Sequence, residues 1–302
     1  MFMICIAEQE KRMAEFKRTI KLLLMDNEPT GRIKCSVDGT TCIAFKINRE
    51  DLDKCKDRKE LKQTGIYFLF GGTTDESTKE VVYIGQANCR KNGEALLCRL
   101  KEHKEDYWNE AVAITTTDNS FGPTEISYLE NYFSNLAKEA NRYVVKNGNE
   151  PMTGNISEEK RYTLEEFVYN TNLILSVLNY KVFIPIVETR QKQVNSNDKE
   201  NIFYLKRKIR NTGITVEATG LKTRDGFVVL KGSYIAKEEM KAIPRKVQEL
   251  RQTAKIDKNR ILQDDILFTS PSYAAAFVIG GSTNGLGDWK TSDSIPLKNI
   301  LE

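Results

Sequence analysis

The chain has 302 residues, of which 40% are hydrophobic and 29% are charged, and its formal net charge at pH 7 is +4. This composition is typical of a globular protein with room for two domains, and it excludes a wholly disordered chain. No apolar run approaches the roughly 18 residues that a membrane-spanning helix needs, and the first residues lack the pattern of a secretory signal, so we expect a cytoplasmic protein.

The N-terminal residues 1–63 predict a small α+β segment that packs on the unit after it. An amphipathic helix is predicted over residues 12–25, where apolar side chains recur at helical spacing. Two strands follow over residues 32–37 and 41–47, and Asp38-Gly39 between them is a strong hairpin signal. Residues 50–62 are charged and helix-like.

All six cysteines lie in the first third of the chain, and none of them forms a Cys-x-x-Cys pair. Zinc-ribbon and thioredoxin-like interpretations therefore have no support. In a chain of this size without a secretory signal, we expect reduced thiols in ordinary packing positions. The cysteines are Cys5, Cys35, Cys42, Cys55, Cys89 and Cys98.

Residues 64–187 are predicted to form a central unit that begins with a β-hairpin. The triplets Gly65-Ile66-Tyr67 and Tyr83-Ile84-Gly85 lie in apolar, strand-like runs, and a polar loop over residues 71–80 separates them. The hairpin would present two tyrosines near each other. After it we expect a helix over about 93–104, a strand over 111–116, and helices over about 123–140 and 158–178.

The first of these helices carries a cation and a histidine four residues apart. Arg99 and His103 would therefore stack on one side of the helix, along the edge of its apolar stripe. His103 is the only histidine in the chain. A lone histidine is more often an ordinary core or surface residue than a catalytic one, so both interpretations stay open at this point.

The helix over 123–140 places a carboxylate where apolar side chains are expected. Glu130 projects into the middle of the face formed by Ile126, Leu129, Phe133, Leu136 and Ala137. A buried carboxylate is costly unless it is paired, hydrogen-bonded or coordinated to a metal. Two interpretations follow, namely a buried ion pair with Arg99, or a Mg²⁺ ligand whose ion keeps waters and phosphate oxygens as its other ligands.

The order of these elements over residues 64–151 resembles the GIY-YIG nuclease superfamily. The two triplets are followed by an arginine in a helix and a glutamate in a later helix, as in that family. The resemblance implies an α+β fold with a small mixed or antiparallel sheet flanked by helices. It also implies a Mg²⁺- or Mn²⁺-dependent endonuclease that hydrolyses DNA to leave 5′-phosphate and 3′-hydroxyl ends.

The resemblance assigns a role to each matching residue. Tyr67 would position or deprotonate the attacking water, and Tyr83 would orient the site and contact the scissile phosphate. Arg99 would stabilise the pentacovalent phosphate, and Glu130 would hold the single metal ion. His103 matches a histidine of restriction-type members. A supporting asparagine after the glutamate helix corresponds to Asn141, Asn147 or Asn149, of which we favour Asn149.

Residues 188–201 form the best linker candidate, and residues 202–302 predict a second, basic α+β domain. Strands are predicted over 202–216 and 226–230, and a basic helix over 237–255. Between Lys199 and Arg260, 16 lysines and arginines stand against 7 acidic residues, an excess of +9. This excess is compatible with a polyanionic partner, and a well-solvated surface is the alternative.

The C-terminal region resembles a domain of uncharacterised function that follows the GIY-YIG module in a bacterial subgroup. The similarity lies in residues 270–276 and 284–290. For the first of these segments, a capped helix start followed by small packing residues is an equal interpretation. The candidate nucleic-acid-binding residues of the chain are Lys91, Lys101, Lys206, Arg207, Lys208 and Arg210.

We therefore expect a DNA endonuclease, in restriction, repair or a mobile element. One metal site per chain would cut one strand at a time, so double-strand cleavage would need a homodimer or two successive nicks. The alternative is a non-catalytic DNA-binding or assembly protein that retains a nuclease fold.

Overall fold

The structure is a computed structural model that describes residues 17–74, 77–88, 95–147, 156–187, 201–209, 213–240 and 242–301. The chain divides into two compact units. The first comprises Met1–Thr74 and Lys79–Ile184, and the second contains Pro185–Glu302. The predicted linker over 188–201 lies outside the described residues except for Asn201.

The first unit is built on a seven-stranded mixed sheet. Its strands are β1 Ile20–Leu24, β2 Ile33–Val37, β3 Cys42–Asn48, β4 Gly65–Thr74, β5 Ser77–Ala87, β6 Glu110–Thr116 and β7 Val144–Val145. They lie in the order β1-β2-β3-β6-β4-β5-β7. Strands β4 and β5 contain the two triplets, and the short β7 pairs with β5 in parallel.

The two faces of this sheet are covered differently. Two long helices, α2 (Pro123–Ala140) and α3 (Glu158–Val177), cover one face and share a core with the even-numbered residues of β4, Ile66 and Phe68. The short helix α1 (Leu96–Glu102) and two 3₁₀ turns cover the other face. Because side chains alternate along a strand, Tyr67 points into this second layer.

Several predicted elements are confirmed. The β2–β3 hairpin forms around Asp38-Gly39, and α2 and α3 begin and end almost where the sequence predicts. Strand β6 lies between β3 and β4, so the strands of the predicted N-terminal segment and those of the central unit form one sheet. The protein is accordingly a mixed α+β structure.

Residues 20–24 of the predicted N-terminal helix form strand β1 instead, so this prediction is wrong for that part. The strand pairs antiparallel with β2, from Ile20 opposite Val37 to Leu24 opposite Ile33. Its leucines, which suggested a buried helical face, are exposed at the edge of the sheet. Backbone pairing with β2 therefore determines the structure of residues 20–24. Residues 12–16 of the predicted helix lie outside the described ranges.

Three boundaries near the site also differ from prediction. The predicted loop over 71–80 is shorter, because β4 continues to Thr74 and β5 begins at Ser77. The charged residues after β3 form two 3₁₀ turns, Arg49–Cys55 and Lys59–Lys62, rather than one helix. Helix α1 is shorter at both ends than the predicted helix.

The second unit is built on a four-stranded antiparallel sheet with several helices. Its elements are β8 Ile202–Lys208, β9 Thr215–Thr223, β10 Gly226–Val229, α4 Arg245–Thr253, β11 Ile266–Phe268, α5 Pro271–Ile279, α6 Gly285–Asp288 and α7 Lys298–Leu301. The strands lie in the order β11-β10-β9-β8. The predicted strand over 202–216 is two strands, and the predicted basic helix is shorter, because α4 begins only after Pro244 at its N-cap.

Helix α5 is buried in the core of the second unit. Its side chains from Ala274 to Ile279 are all buried, and the Ser270 side chain caps its first turn by accepting from the Tyr273 backbone N–H at 3.2 Å. The capped-helix interpretation of this segment is therefore confirmed. Among the described residues, no helix has both the length and the apolar character needed to cross a membrane.

The two units have separate cores, and each contains one of the two tryptophans, Trp108 in the first and Trp289 in the second. Phe227 packs on Trp289 with a centroid separation of 4.8 Å. We expect Phe227→Ala to lower the unfolding free energy of the second unit by about 3 to 5 kcal/mol through the cavity it leaves. The first unit should keep its stability.

Denaturant unfolding followed by fluorescence tests this, with Trp289 alone (in a Trp108→Phe background) and Trp108 alone (in a Trp289→Phe background). An equal shift of both transitions on Phe227→Ala would show that the two units unfold as one.

Candidate active site

Tyr67 is the centre of the candidate site, and its side chain is fully buried. The adjacent strand makes room for it at Gly85. A Cβ atom on Gly85 would lie 2.3 Å from both the hydroxyl oxygen and Cζ of Tyr67, which no side chain tolerates. The glycine of the second triplet is therefore what allows the tyrosine of the first to lie across β5.

The glycine of the first triplet permits a second close approach. A Cβ atom on Gly65 would lie 2.4 Å from the Ile114 carbonyl oxygen of β6 and 2.7 Å from the Leu96 side chain of α1. Helix α1 can thus pack directly against the start of β4. This packing brings the end of α1, and the residues that follow it, to the tyrosines.

His103 lies at the end of α1, and it joins the two tyrosines. The prediction that it lies within the helix is wrong, because the helix ends at Glu102 and His103 is its extended C-cap. Its Nε2 atom lies 2.7 Å from the Tyr67 hydroxyl oxygen, and its Nδ1 atom lies 3.1 Å from Glu105 Oε2. The ring centroids of Tyr67 and Tyr83 are 5.4 and 5.0 Å from that of His103.

Arg99 lies beside this cluster on α1, half exposed. Its Nη1 atom forms an ion pair with Glu102 Oε2 at 3.0 Å, which raises the pKa of the guanidinium further above its usual range. Burial raises the pKa of the Tyr67 hydroxyl, the adjacent Tyr83 raises it further, and Arg99 opposes both effects. Tyr67 is consequently a neutral phenol at pH 7.

Glu130 belongs to α2, on the other face of the sheet, and is half buried. The prediction that it projects into the middle of the apolar face is therefore only partly right. It lies at the end of β5, where Gln86 Nε2 donates to its Oε2 atom at 3.0 Å. Burial raises the pKa of Glu130 above its ordinary value, and the Gln86 side chain opposes this.

The proposed ion pair between Glu130 and Arg99 is not present among the described residues. Arg99 is near enough to lower the Glu130 pKa through its charge, but its salt bridge goes to Glu102. The structure thus brings Tyr67, Tyr83, His103 and Arg99 together, and places Glu130 near them without a direct contact.

A divalent ion at Glu130 would have one protein carboxylate. Within the described ranges there is no group of three or more histidine, cysteine or acidic side chains able to hold a metal. A single half-buried carboxylate, oriented by Gln86, fits a hard cation such as Mg²⁺, which usually keeps several waters and takes substrate phosphate oxygens as ligands.

The asparagine that supports the second triplet is Asn147. Its Oδ1 atom accepts from the Ile84 backbone N–H at 3.1 Å, and its Nδ2 atom donates to the Ile84 carbonyl at 2.6 Å. These two bonds hold the middle residue of Tyr83-Ile84-Gly85 from both sides. Asn149, which the sequence favoured, lies outside the described residues.

The basic candidates are less available than their charges imply. Lys101 is paired with Asp53 at 2.7 Å, Lys206 with Glu217 at 2.6 Å, and Arg207 with Asp288 at 3.2 Å. Lys208 is exposed at the end of β8. Lys91 and Arg210 lie outside the described residues. Four cysteines are free thiols, as expected, and Cys5 and Cys89 are not described.

Sequence reasoning missed two polar residues that contact the candidate site, Gln86 and Glu105, and it included Asn147 among three asparagines but favoured Asn149. The position of Gln86 directly after the second triplet was a usable signal, because alternation along β5 directs it toward α2 rather than toward Tyr67. Glu105 lies two residues beyond the only histidine. No spacing rule identifies it, because the helix ends at Glu102 and both residues follow it.

A family model described as a domain of unknown function (DUF4357) matches residues 208–301, within the second unit. The family comparison gives no match to the GIY-YIG nucleases. No curated protein and no solved structure matches the chain. The matched segment covers less than half of the chain, and the candidate site lies outside it.

Replacing Asn147 tests its role in holding the second triplet. We expect Asn147→Ala to lower the unfolding free energy by about 1 to 3 kcal/mol, because two backbone groups of Ile84 lose their partner. Denaturation followed by Trp108 fluorescence measures this. Asn135→Ala, at an exposed position on α2, is the control and should not lower the stability, because alanine has a higher helix propensity than asparagine. Equal stabilities of the two variants would contradict the assignment.

Proposed function

We propose that the first unit is a divalent-metal-dependent endonuclease that hydrolyses phosphodiester bonds in DNA. The observation that supports this best is the cluster of Tyr67, Tyr83, His103 and Arg99 beside the half-buried Glu130. These residue types, in this chain order, are those that the resemblance to the GIY-YIG nucleases implies. The proposal includes Mg²⁺ or Mn²⁺ at Glu130.

Tyr67 and His103 provide a route for the proton of the attacking water. Tyr67 is fully buried in the free protein, so the proposal requires that substrate binding brings the attacking water to its hydroxyl. That hydroxyl is hydrogen-bonded to His103 Nε2 at 2.7 Å, so a proton can leave the phenol as the phenol takes one from water. The water oxygen then bonds to phosphorus, and the bond from phosphorus to the 3′-oxygen breaks. The products are a 5′-phosphate and, once the leaving oxygen is protonated, a 3′-hydroxyl.

Arg99 supplies positive charge for the phosphate. The transition state gathers negative charge on the phosphoryl oxygens, and a fixed guanidinium stabilises it more than it stabilises the substrate. Tyr83 lies next to this group and offers a hydroxyl to the same phosphate. A divalent ion bound at Glu130 would act as a Lewis acid on the phosphoryl oxygens.

Glu130→Gln tests the proposal with the smallest change in shape. The amide can still accept from Gln86 but supplies no charge for a metal ion, so we expect Mg²⁺-dependent cleavage of plasmid and branched DNA to fall by about 100-fold or more. Glu139→Gln removes the same charge from the exposed side of α2 and should cleave normally. EDTA should abolish cleavage by the wild-type protein.

Thermal unfolding shows whether Glu130→Gln is folded, and the burial of Glu130 predicts the direction in which the melting temperature changes. Burial raises the pKa of Glu130 in the folded state, so its ionised form costs stability at neutral pH. The variant should therefore melt at or above the wild-type temperature at pH 7. This difference should vanish below the ordinary glutamate value of 4.5, where the carboxyl is protonated in both states.

A non-catalytic DNA-binding or assembly protein is the alternative outcome of the same assay. Salt-dependent DNA binding without metal-dependent cleavage would support it and would contradict the nuclease. Comparison of linear, nicked and branched substrates would also separate single-strand nicking by one chain from paired cleavage by a homodimer.

A further inference from the structure

Glu105 contacts the candidate site from the segment after α1. Its Oε2 atom lies 3.1 Å from His103 Nδ1, on the side of the imidazole opposite Tyr67. Tyr67, His103 and Glu105 thus form a continuous chain of hydrogen bonds, from a fully buried phenol through a buried imidazole to a carboxylate that is half exposed.

The chemistry of the three groups fixes the direction of these bonds. A neutral imidazole donates from one nitrogen and accepts at the other, whereas an ionised carboxylate only accepts. The pKa of Glu105 is lowered, first by its own backbone N–H and then by His103, so it is ionised at neutral pH. In a neutral imidazole beside this carboxylate, the proton therefore lies on Nδ1, and the lone pair of Nε2 faces the Tyr67 hydroxyl.

We propose that Glu105 is a positioning residue that holds His103 in the Nδ1-protonated tautomer, so that Nε2 can take the Tyr67 proton. In this step the Tyr67 O–H bond breaks and an Nε2–H bond forms, which gives a phenolate and an imidazolium. The Glu105 carboxylate stabilises the imidazolium. The catalytic part rests on the proposed nuclease function, whereas the tautomer does not.

Two arginines and two tyrosines also surround His103. Arg49 of the first 3₁₀ turn donates to the carbonyl oxygens of His103 and Glu105, at 3.4 and 2.6 Å. Arg99 lies on α1, and the rings of Tyr67 and Tyr83 cover the imidazole from β4 and β5. Glu105 supplies the negative charge that contacts the imidazole ring.

Nitrogen NMR of tag-free, ¹⁵N-labelled protein tests the tautomer directly, because His103 is the only histidine and its ring signals need no assignment. We expect the wild-type protein at neutral pH to show a protonated Nδ1 and an unprotonated Nε2. Glu105→Ala should increase the population of the Nε2-protonated form, and Asp106→Asn should not. An Nε2-protonated ring in the wild-type protein would overturn the proposal.

Cleavage kinetics test the catalytic part. We expect Glu105→Gln to lower kcat by about 10- to 100-fold, as loss of an orienting group typically does. Its pH–rate profile should also differ from that of the wild-type protein, because the partner of His103 Nδ1 no longer carries a charge. Asp106→Asn removes the same charge from the adjacent exposed position and should match the wild-type profile.

The two measurements separate the two proposals. Failure of the wild-type protein to cleave any DNA substrate would overturn the nuclease, while the NMR result would still decide the tautomer. Cleavage by wild type, with Glu105→Gln matching Asp106→Asn in kcat and in pH profile, would overturn the role of Glu105 and leave the nuclease intact.

Discussion

The buried hydroxyl of Tyr67 is the constraint on which the rest of the candidate site depends. A buried hydroxyl without a hydrogen-bond partner costs roughly 1 to 3 kcal/mol, so the fold must supply both space and a partner. Gly85 supplies the space because it has no side chain. His103 supplies the partner because α1 ends one residue before it, which turns the imidazole back toward β4.

The sheet separates the site into two halves. The tyrosines, His103 and Arg99 belong to the layer that contains α1, whereas Glu130 belongs to α2 on the opposite face. Glu130 lies near the end of β5. Gln86 lies at that point, next to Gly85 in sequence, and its amide holds the Glu130 carboxylate. The end of one strand thus lies between the Tyr67–His103 pair and Glu130.

The sequence predicts the long elements well because their signals are local. Pro123 at the start of α2, the Ser157 cap of α3 and the 3.6-residue period of their buried faces are all visible in the chain. Strand β1 could not be predicted in the same way, since its structure comes from pairing with β2 rather than from its own exposed leucines.

The residues of the candidate site also divide into those with a local sequence signal and those placed by tertiary packing. Tyr67, Tyr83, Arg99 and Glu130 are identified by order and spacing, which a sequence displays. Glu105 and Asn147 contact the site through the path of the chain after a helix and after β7, and such a path depends on tertiary packing. The favoured Asn149 differs from Asn147 by two residues, which is within the precision of any estimate by distance along the chain.

Two arginines of the second unit bond to its own backbone, which reduces the number of cations available to a polyanion. Arg251 is buried and donates to the carbonyl oxygens of Phe277 and Ala236, and Arg260 donates to those of Ile235 and Ala236. Burial lowers the pKa of Arg251. Affinity for a polyanion depends on salt through the counterions released from it, roughly one for each cation that reaches a phosphate. Cations that hold the fold together release none, so the salt dependence of any such binding should be shallower than the 16 lysines and arginines between Lys199 and Arg260 would imply.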